Sequence, residues 1–191
     1  NAIMIKKYFK KQDRTVGQIL VTAQDFARRK SYLNIRNTIF TLLNMKVVPI
    51  INENDTVAVE EIKFGDNDRL SAVITAKVDA EKLIMMTDVE GLKDDKGEVV
   101  KEVAEITRDI EKYAGGVGSL YSVGGMVTKL KAARIVMNMC GVDTYIINGR
   151  EPGLWMKIVN GENPGTIFKG KSSGVSQKKR WIAYGLRPSG K

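Results

Sequence analysis

The chain has 191 residues, enough for one hydrophobic core of ordinary domain size, with a single cysteine and no histidine. This composition excludes internal disulfides, histidine general catalysis, Ser-His-Asp triads and histidine-ligated zinc, and the lone Cys140 suits a reducing cytosol. The net charge of +9 is concentrated at the chain ends and predicts an anionic partner, either nucleic acid or a phosphorylated small molecule.

Hydrophobic periodicity predicts alternating helices and strands in the first part of the chain. We predict helices over 2–10 and 24–44, with strands over 17–22 and 47–51. The run from Val47 to Ile51 is too short for a helix, and we expect a strand that is buried on both faces, as in parallel sheets. The polar sequence Asn52-Glu53-Asn54-Asp55 follows directly. It lies where open α/β sheets bind their ligands.

A second polar cluster, Asp66-Asn67-Asp68, precedes a helix predicted over 70–76. Asp66 or Asn67 can cap this helix, and the backbone N–H groups of its first turn can face an anion. Taken alone, the pattern favours an ordinary capped helix after a polar loop.

The rest of the chain continues the alternation and then changes character. We predict strands over 82–88, within 99–106, over 144–148 and, as an edge strand, over 166–168; we predict helices over 107–113, 126–137 and 154–159. No apolar run approaches the ~18 residues of a membrane span. We therefore predict an α/β domain over 1–168, a three-layer αβα sandwich with a mainly parallel central sheet, followed by a basic linker or tail over 169–191.

The glycine-rich stretch 115–125 is a candidate phosphate cradle, because glycines let a phosphate approach the backbone at a helix N-terminus. Lys129, in the first turn of the helix predicted from Met126, could reach a transferring phosphoryl group as a point charge. The pattern is not a Walker loop. A surface loop followed by a solvated lysine explains it equally well. Thr87-Asp88 is likewise either ordinary strand-to-turn chemistry or a nucleotide contact.

Five ordered segments together resemble the glutamate 5-kinase family, a branch of the amino-acid kinases. They are residues 49–55, 64–68, 87–92, 124–133 and 148–152, and the resemblance extends from about residue 17 to residue 168. It implies the amino-acid kinase fold. It also implies phosphorylation of the side-chain carboxylate of L-glutamate by ATP with Mg²⁺, which gives glutamyl 5-phosphate, the first step of proline biosynthesis.

The resemblance also implies roles for individual residues. Asp55 and Asn67 would bind the amino and carboxylate ends of glutamate, with Asn52 and Asn54 beside them. Asp88 would orient catalytic lysines, and Lys129 would stabilise charge on the phosphoryl group. The nucleotide contacts would be Thr87, Asp88, Val123, Gly124, Gly125, Met126, Val127, Thr128 and Lys129. Mg²⁺ would be held by the ATP phosphates rather than by protein ligands, and we expect these loops to converge at one rim.

The chain departs from the family pattern in two places. Ser122-Val123 stands where the family has Gly-Thr, which puts one nucleotide contact in doubt. The family's amino-terminal strand, with its glycine-rich loop and second phosphate-binding lysine, has no counterpart here, and neither has the substrate-binding serine that follows. We therefore expect the amino-terminal part to be missing. Many members also carry a carboxy-terminal PUA domain, and the sequence leaves open whether one follows residue 191.

The resemblance further implies a cytoplasmic homo-oligomer, a dimer or tetramer, with no membrane or nucleic-acid partner for this domain, and it leaves open whether proline inhibits. Two alternatives remain. One is a sister kinase acting on acetylglutamate or aspartate. The other is a catalytically inactive kinase fold that binds RNA, or acts as a regulator, through its basic tail.

Overall fold

The computed structural model describes residues 2–57, 64–115 and 124–171, with the side chains of residues 2–4 left out. The chain forms two compact units, one extending to Leu70 and the other beginning at Ser71. Each unit has its own sheet. Within the described ranges, no helix combines the length and apolar character that crossing a bilayer requires. The predicted tail lies outside the described residues from position 172 onward.

The first unit is built on a pair of parallel strands joined by helices. Its elements are α1 Ala2–Lys11, β1 Thr15–Val21, α2 Ala23–Ala27, α3 Arg29–Asn44, β2 Val47–Glu53 and the start of α4 Asn67–Lys77. Strands β1 and β2 pair in parallel, with Val21 opposite Glu53. Parallel pairing requires a crossover connection, and α2 with α3 supplies it.

One predicted helix of the first unit is two helices in the structure. The helix expected over 24–44 is interrupted at Arg28, whose φ of −96° and ψ of 119° are extended. No glycine or proline explains the break. Beside the break, the buried Phe26 packs edge-to-face on Phe64, with ring centroids 5.7 Å apart, and this contact holds α2 against a distant segment.

Strand β2 was expected to be buried on both faces, and that expectation is wrong. Val48 is 36% exposed, and of the residues of β2 only Glu53 is buried. The reason lies in the pairing, because among the described residues β2 pairs only with β1.

The second unit contains a four-stranded sheet with the order β3-β5-β6-β4. Its elements are β3 Lys82–Thr87, β4 Glu102–Val103, α5 Arg108–Tyr113, α6 Gly124–Cys140, β5 Asp143–Asn148, α7 Leu154–Val159 and β6 Thr166–Phe168. Strand β5 runs parallel to β3 and antiparallel to β6, and β6 runs parallel to β4.

Strand β6 was predicted at the sheet edge, and this is wrong, because it lies between β5 and β4. Its three residues are all buried. Gly165 permits this close approach, since a Cβ atom there would lie 2.2 Å from the carbonyl oxygen of Ile146.

Helix α6 covers the sheet of the second unit with its apolar face. Its buried residues form one core with strand residues; the members include Leu130, Ala133, Val136 and Met137 of α6 with Leu83, Met85, Ile146 and Phe168. Gly141 ends the helix with a φ of +63°, a left-handed conformation that glycine adopts without strain. This packing holds α6 against the strands and so determines where its N-terminus lies.

Candidate functional site

The predicted substrate residues of the first unit follow the carboxyl end of β2. The backbone N–H of Asn54 donates to the carbonyl of Val21 at 2.7 Å and continues the contact with β1 by one residue. The side-chain oxygen of Asn54 accepts from the Thr56 hydroxyl at 2.6 Å. Asn52 and Asn54 are half-buried, and Asp55 is exposed. The polar cluster is therefore anchored at its base and accessible at Asp55.

Glu53 has a role that the sequence analysis missed. It is 8% exposed, and its Oε1 accepts the backbone N–H of Phe64 at 2.8 Å. Phe64 is itself 3% exposed against Phe26. The alternation of side chains along a strand could have indicated this role, because it places Glu53 on the face opposite Asn52 and Asn54.

The second predicted substrate segment begins α4. The carboxylate of Asp66 accepts the backbone N–H of Arg69 at 2.6 Å, so of the two proposed capping residues Asp66 makes the bond. Asn67 is the first residue of α4 and is exposed. Only three residue steps, at most about 11 Å of chain, separate Asn67 from Phe64, which Glu53 holds. The first unit thus brings the residues 52–55 and Asn67 into one neighbourhood.

In the second unit, the ends of β3 and β5 lie side by side. Thr87 is opposite Asn148 in the parallel register, and the backbone N–H of Gly149 donates to the carbonyl of Thr87 at 2.7 Å. The Thr87 hydroxyl donates to the carboxylate of Asp88 at 3.1 Å, and Asp88 is exposed. The role of Gly149 is a second one that the sequence does not reveal, because it depends on a contact with β3, more than sixty residues away.

The N-terminus of α6 lies at the same end of these strands. Only residues 141 and 142 connect α6 to β5, and the helix packs on that strand, so the two run in opposite directions. The start of α6 must therefore lie near the carboxyl ends of β5 and β3. The unpaired N–H groups of a helix start, with the positive end of the helix dipole, favour an anion there.

The first turns of α6 suit a phosphate. The helix begins at Gly124, two residues before the predicted start, so Lys129 lies in its second turn. The position that a Cβ atom on Gly125 would take is 4.0 Å from Nζ of Lys129, so the ammonium reaches back over the helix start. The Thr128 hydroxyl donates to the Gly125 carbonyl at 2.9 Å.

The other predicted nucleotide contacts in this stretch divide into two groups. The side chains of Met126 and Val127 pack against the core, so these residues can offer only their main chain to a ligand at the helix start. Val123 lies outside the described residues, as do residues 116–122.

The opposite end of strand β5, where the strand begins, carries an ion pair with a structural role. Nζ of Lys169 lies 3.3 Å from the carboxylate of Asp143, and a hydrogen bond to Asp143 raises the pKa of Lys169. The backbone N–H of Gly170 donates to the same carboxylate at 2.9 Å. Asp143 thus holds the chain leaving β6, and this pKa shift belongs to a structural contact rather than to the candidate site.

Comparison with known proteins agrees with this architecture. The model of the amino acid kinase family matches residues 1–148, and the chain belongs to that family. Among curated proteins, it is 47% identical over 181 residues to the glutamate 5-kinase of Trichlorobacter lovleyi, covering 92% of this chain and 48% of that protein. It is 45% identical over 192 residues to the glutamate 5-kinase of Syntrophotalea carbinolica, covering 97% and 51%. The chain therefore spans about half the length of the curated relatives it matches.

Solved structures show the same fold. Isopentenyl phosphate kinase from T. acidophilum superimposes with a TM-score of 0.59 at 14% identity, over 88% of this chain and 65% of that one. The predicted α/β amino-acid kinase fold, with mostly parallel sheets, is confirmed.

Proposed function

We propose that the protein is a glutamate 5-kinase, which transfers the terminal phosphoryl group of ATP to the side-chain carboxylate of L-glutamate. The observation that carries this proposal is the 47% identity, over 92% of the chain, to a protein named glutamate 5-kinase. The product would be glutamyl 5-phosphate, which makes the reaction the first step of proline biosynthesis.

The first unit would bind glutamate. The exposed carboxylate of Asp55 complements an ammonium group, and the amide of Asn67, at the start of α4, suits a carboxylate. Asn52 and Asn54 would complete the polar surface. Their anchoring at the end of β2 keeps the substrate in one orientation, and orientation contributes a large part of the barrier reduction in such transfers.

The second unit would bind the nucleotide. The start of α6 would hold the phosphates, Thr87 and Asp88 would lie at the nucleotide, and Lys129 would stabilise charge on the transferring group. Mg²⁺, arriving with ATP, would supply further charge neutralisation. An oxygen of the glutamate carboxylate forms a bond to the γ-phosphorus while the bond from that phosphorus to ADP breaks. A carboxylate is already a nucleophile, so this step needs no histidine as a general base.

We also propose that residues 1–168 act as the kinase domain, that 169–191 form a basic linker or tail, and that the protein works as a cytoplasmic homo-oligomer. Light scattering of the full-length protein would give the assembly size, and activity with and without added proline would show whether proline inhibits.

The test of the function is ADP release by the full-length protein with glutamate, aspartate or acetylglutamate as acceptor. We expect turnover with glutamate, and its absence would refute the proposal. Lys129→Ala should lower kcat by about 10²-fold or more, as loss of one preorganised charge-stabilising donor does. The exposed Lys131 provides the matched control, and Lys131→Ala should keep the wild-type rate. Salt-sensitive RNA binding without ADP release would favour the inactive-kinase alternative.

A further inference from the structure

We propose that Glu53 is a positioning residue for the amino-acid substrate, an inference that rests on the proposed glutamate kinase function. Its carboxylate would act through Phe64, because its Oε1 accepts the Phe64 backbone N–H at 2.8 Å. Glu53 would thereby set where Asn67 lies relative to Asp55.

The two ends of this contact differ in how they are held. Glu53 is the last residue of β2, and its backbone is fixed by pairing with Val21 of β1. Phe64 comes eleven residues later, after a segment of which 58–63 lie outside the described residues. Its ring packs on Phe26, and the Glu53 carboxylate accepts its N–H. The side chain of Glu53 therefore ties the strand end directly to the segment that leads into α4.

The burial of Glu53 indicates that the role of its carboxylate is to accept this hydrogen bond. Glu53 is 8% exposed, and the desolvation of a buried carboxylate is unfavourable unless donors face it. Packing alone would favour an apolar side chain at this position. A buried glutamate that accepts a backbone N–H instead specifies one geometry for the chain it holds.

The consequence is a division of roles within residues 52–55. Asn52, Asn54 and Asp55 would face the substrate, and Glu53, pointing to the other face of the strand, would position the second substrate segment. Loss of the contact should change how glutamate binds and leave the nucleotide side of the reaction unaltered.

Two conservative variants of the full-length protein separate the effect of side-chain length at position 53 from the effect of its charge. Glu53→Asp keeps the charge but withdraws the oxygen from Phe64 by one methylene. Glu53→Gln loses the charge but keeps a carbonyl oxygen at the same reach. We expect Glu53→Asp to raise KM for glutamate about tenfold, the affinity equivalent of one hydrogen bond to a charged group, with kcat and KM for ATP within about twofold. Glu53→Gln should stay within about threefold of wild type in all three.

Hydrogen exchange gives a readout that does not depend on activity. The amide of Phe64 should exchange faster in Glu53→Asp and remain protected in Glu53→Gln. The exposed Glu81 serves as the matched control, and Glu81→Ala should change neither kinetics nor Phe64 exchange.

Three results would overturn the inference while leaving the kinase function intact: an unchanged KM for glutamate in Glu53→Asp, equal impairment of both Glu53 variants, or a parallel rise of both KM values. Because Glu53→Gln is expected to behave as wild type, its impairment alone is decisive even if Glu53→Asp fails to fold. A wild-type protein with no turnover of glutamate would instead refute the function on which the inference rests.

Discussion

Gly149 allows the end of β5 to approach the end of β3, and Gly149→Ala tests whether that approach places the nucleotide residues. A Cβ atom at position 149 would lie 2.9 Å from Cβ of Met86 and 3.5 Å from the carbonyl oxygen of Thr87. The Met86 atom belongs to the strand rather than to a flexible side-chain end. The strain therefore cannot be relieved by a rotamer change, and the strand ends must separate.

The size of the displacement follows from ordinary contact distances. Carbon atoms prefer separations of about 3.5 to 4.0 Å, so the strand ends must move apart by roughly 0.6 to 1.1 Å. This shift acts on the carbonyl of Thr87, which accepts the Gly149 N–H at 2.7 Å, and it is transmitted to Asp88. A misplacement of about 1 Å near reacting groups can lower the rate by ~10²-fold. Overpacking of this kind costs about 1–3 kcal/mol of stability.

The assay compares kcat/KM for ATP, with glutamate as acceptor, and the affinity for a non-hydrolysable ATP analogue. We expect a loss of about tenfold to hundredfold in Gly149→Ala. Gly97→Ala is the control. At a φ of +80° an alanine is strained by about 1–2 kcal/mol, but no neighbouring atom lies within 4 Å to be displaced. Wild-type kinetics in Gly149→Ala, or an equal loss in Gly97→Ala, would refute the reasoning.

Two further predictions concern buried polar groups of the second unit. Burial lowers the pKa of Lys77 below its ordinary value of 10.5, so the unfolded chain binds more protons in the window just below that value and stability rises with pH there. Urea titrations should therefore show wild type gaining stability relative to Lys77→Met as the pH rises toward 10.5, and a constant difference would contradict this. The fully buried Thr144 hydroxyl has no hydrogen-bond partner among the described residues. The near-isosteric Thr144→Val should raise the free energy of unfolding by about 1 kcal/mol, and a lower Tm would show that the hydroxyl is satisfied.

Much of the secondary structure could be predicted because its signals are local. The apolar run before Thr87, the capping carboxylate of Asp66 and the glycine that ends α6 each act within a few residues. The same holds for the polar residues after β2 and at the end of β3, because a strand and the residues that follow it are contiguous in the chain.

The errors fall where distant residues decide the structure. The break at Arg28 lies beside the packing of Phe26 on the distant Phe64, and the interior place of β6 follows from pairing with two strands that precede it in the chain. The Leu92 backbone N–H, bonded to the Thr166 hydroxyl 74 residues away, is a contact of the same kind.

By itself, the sequence determined the order of helices and strands, the family resemblance and the polar clusters from which a site can be built. Only the tertiary structure decided that Glu53 holds Phe64 and that Gly149 holds Thr87. The physical reason is that periodicity and capping are properties of neighbouring residues. Hydrogen bonds and steric limits across a sheet or a long loop depend on partners that no local pattern specifies.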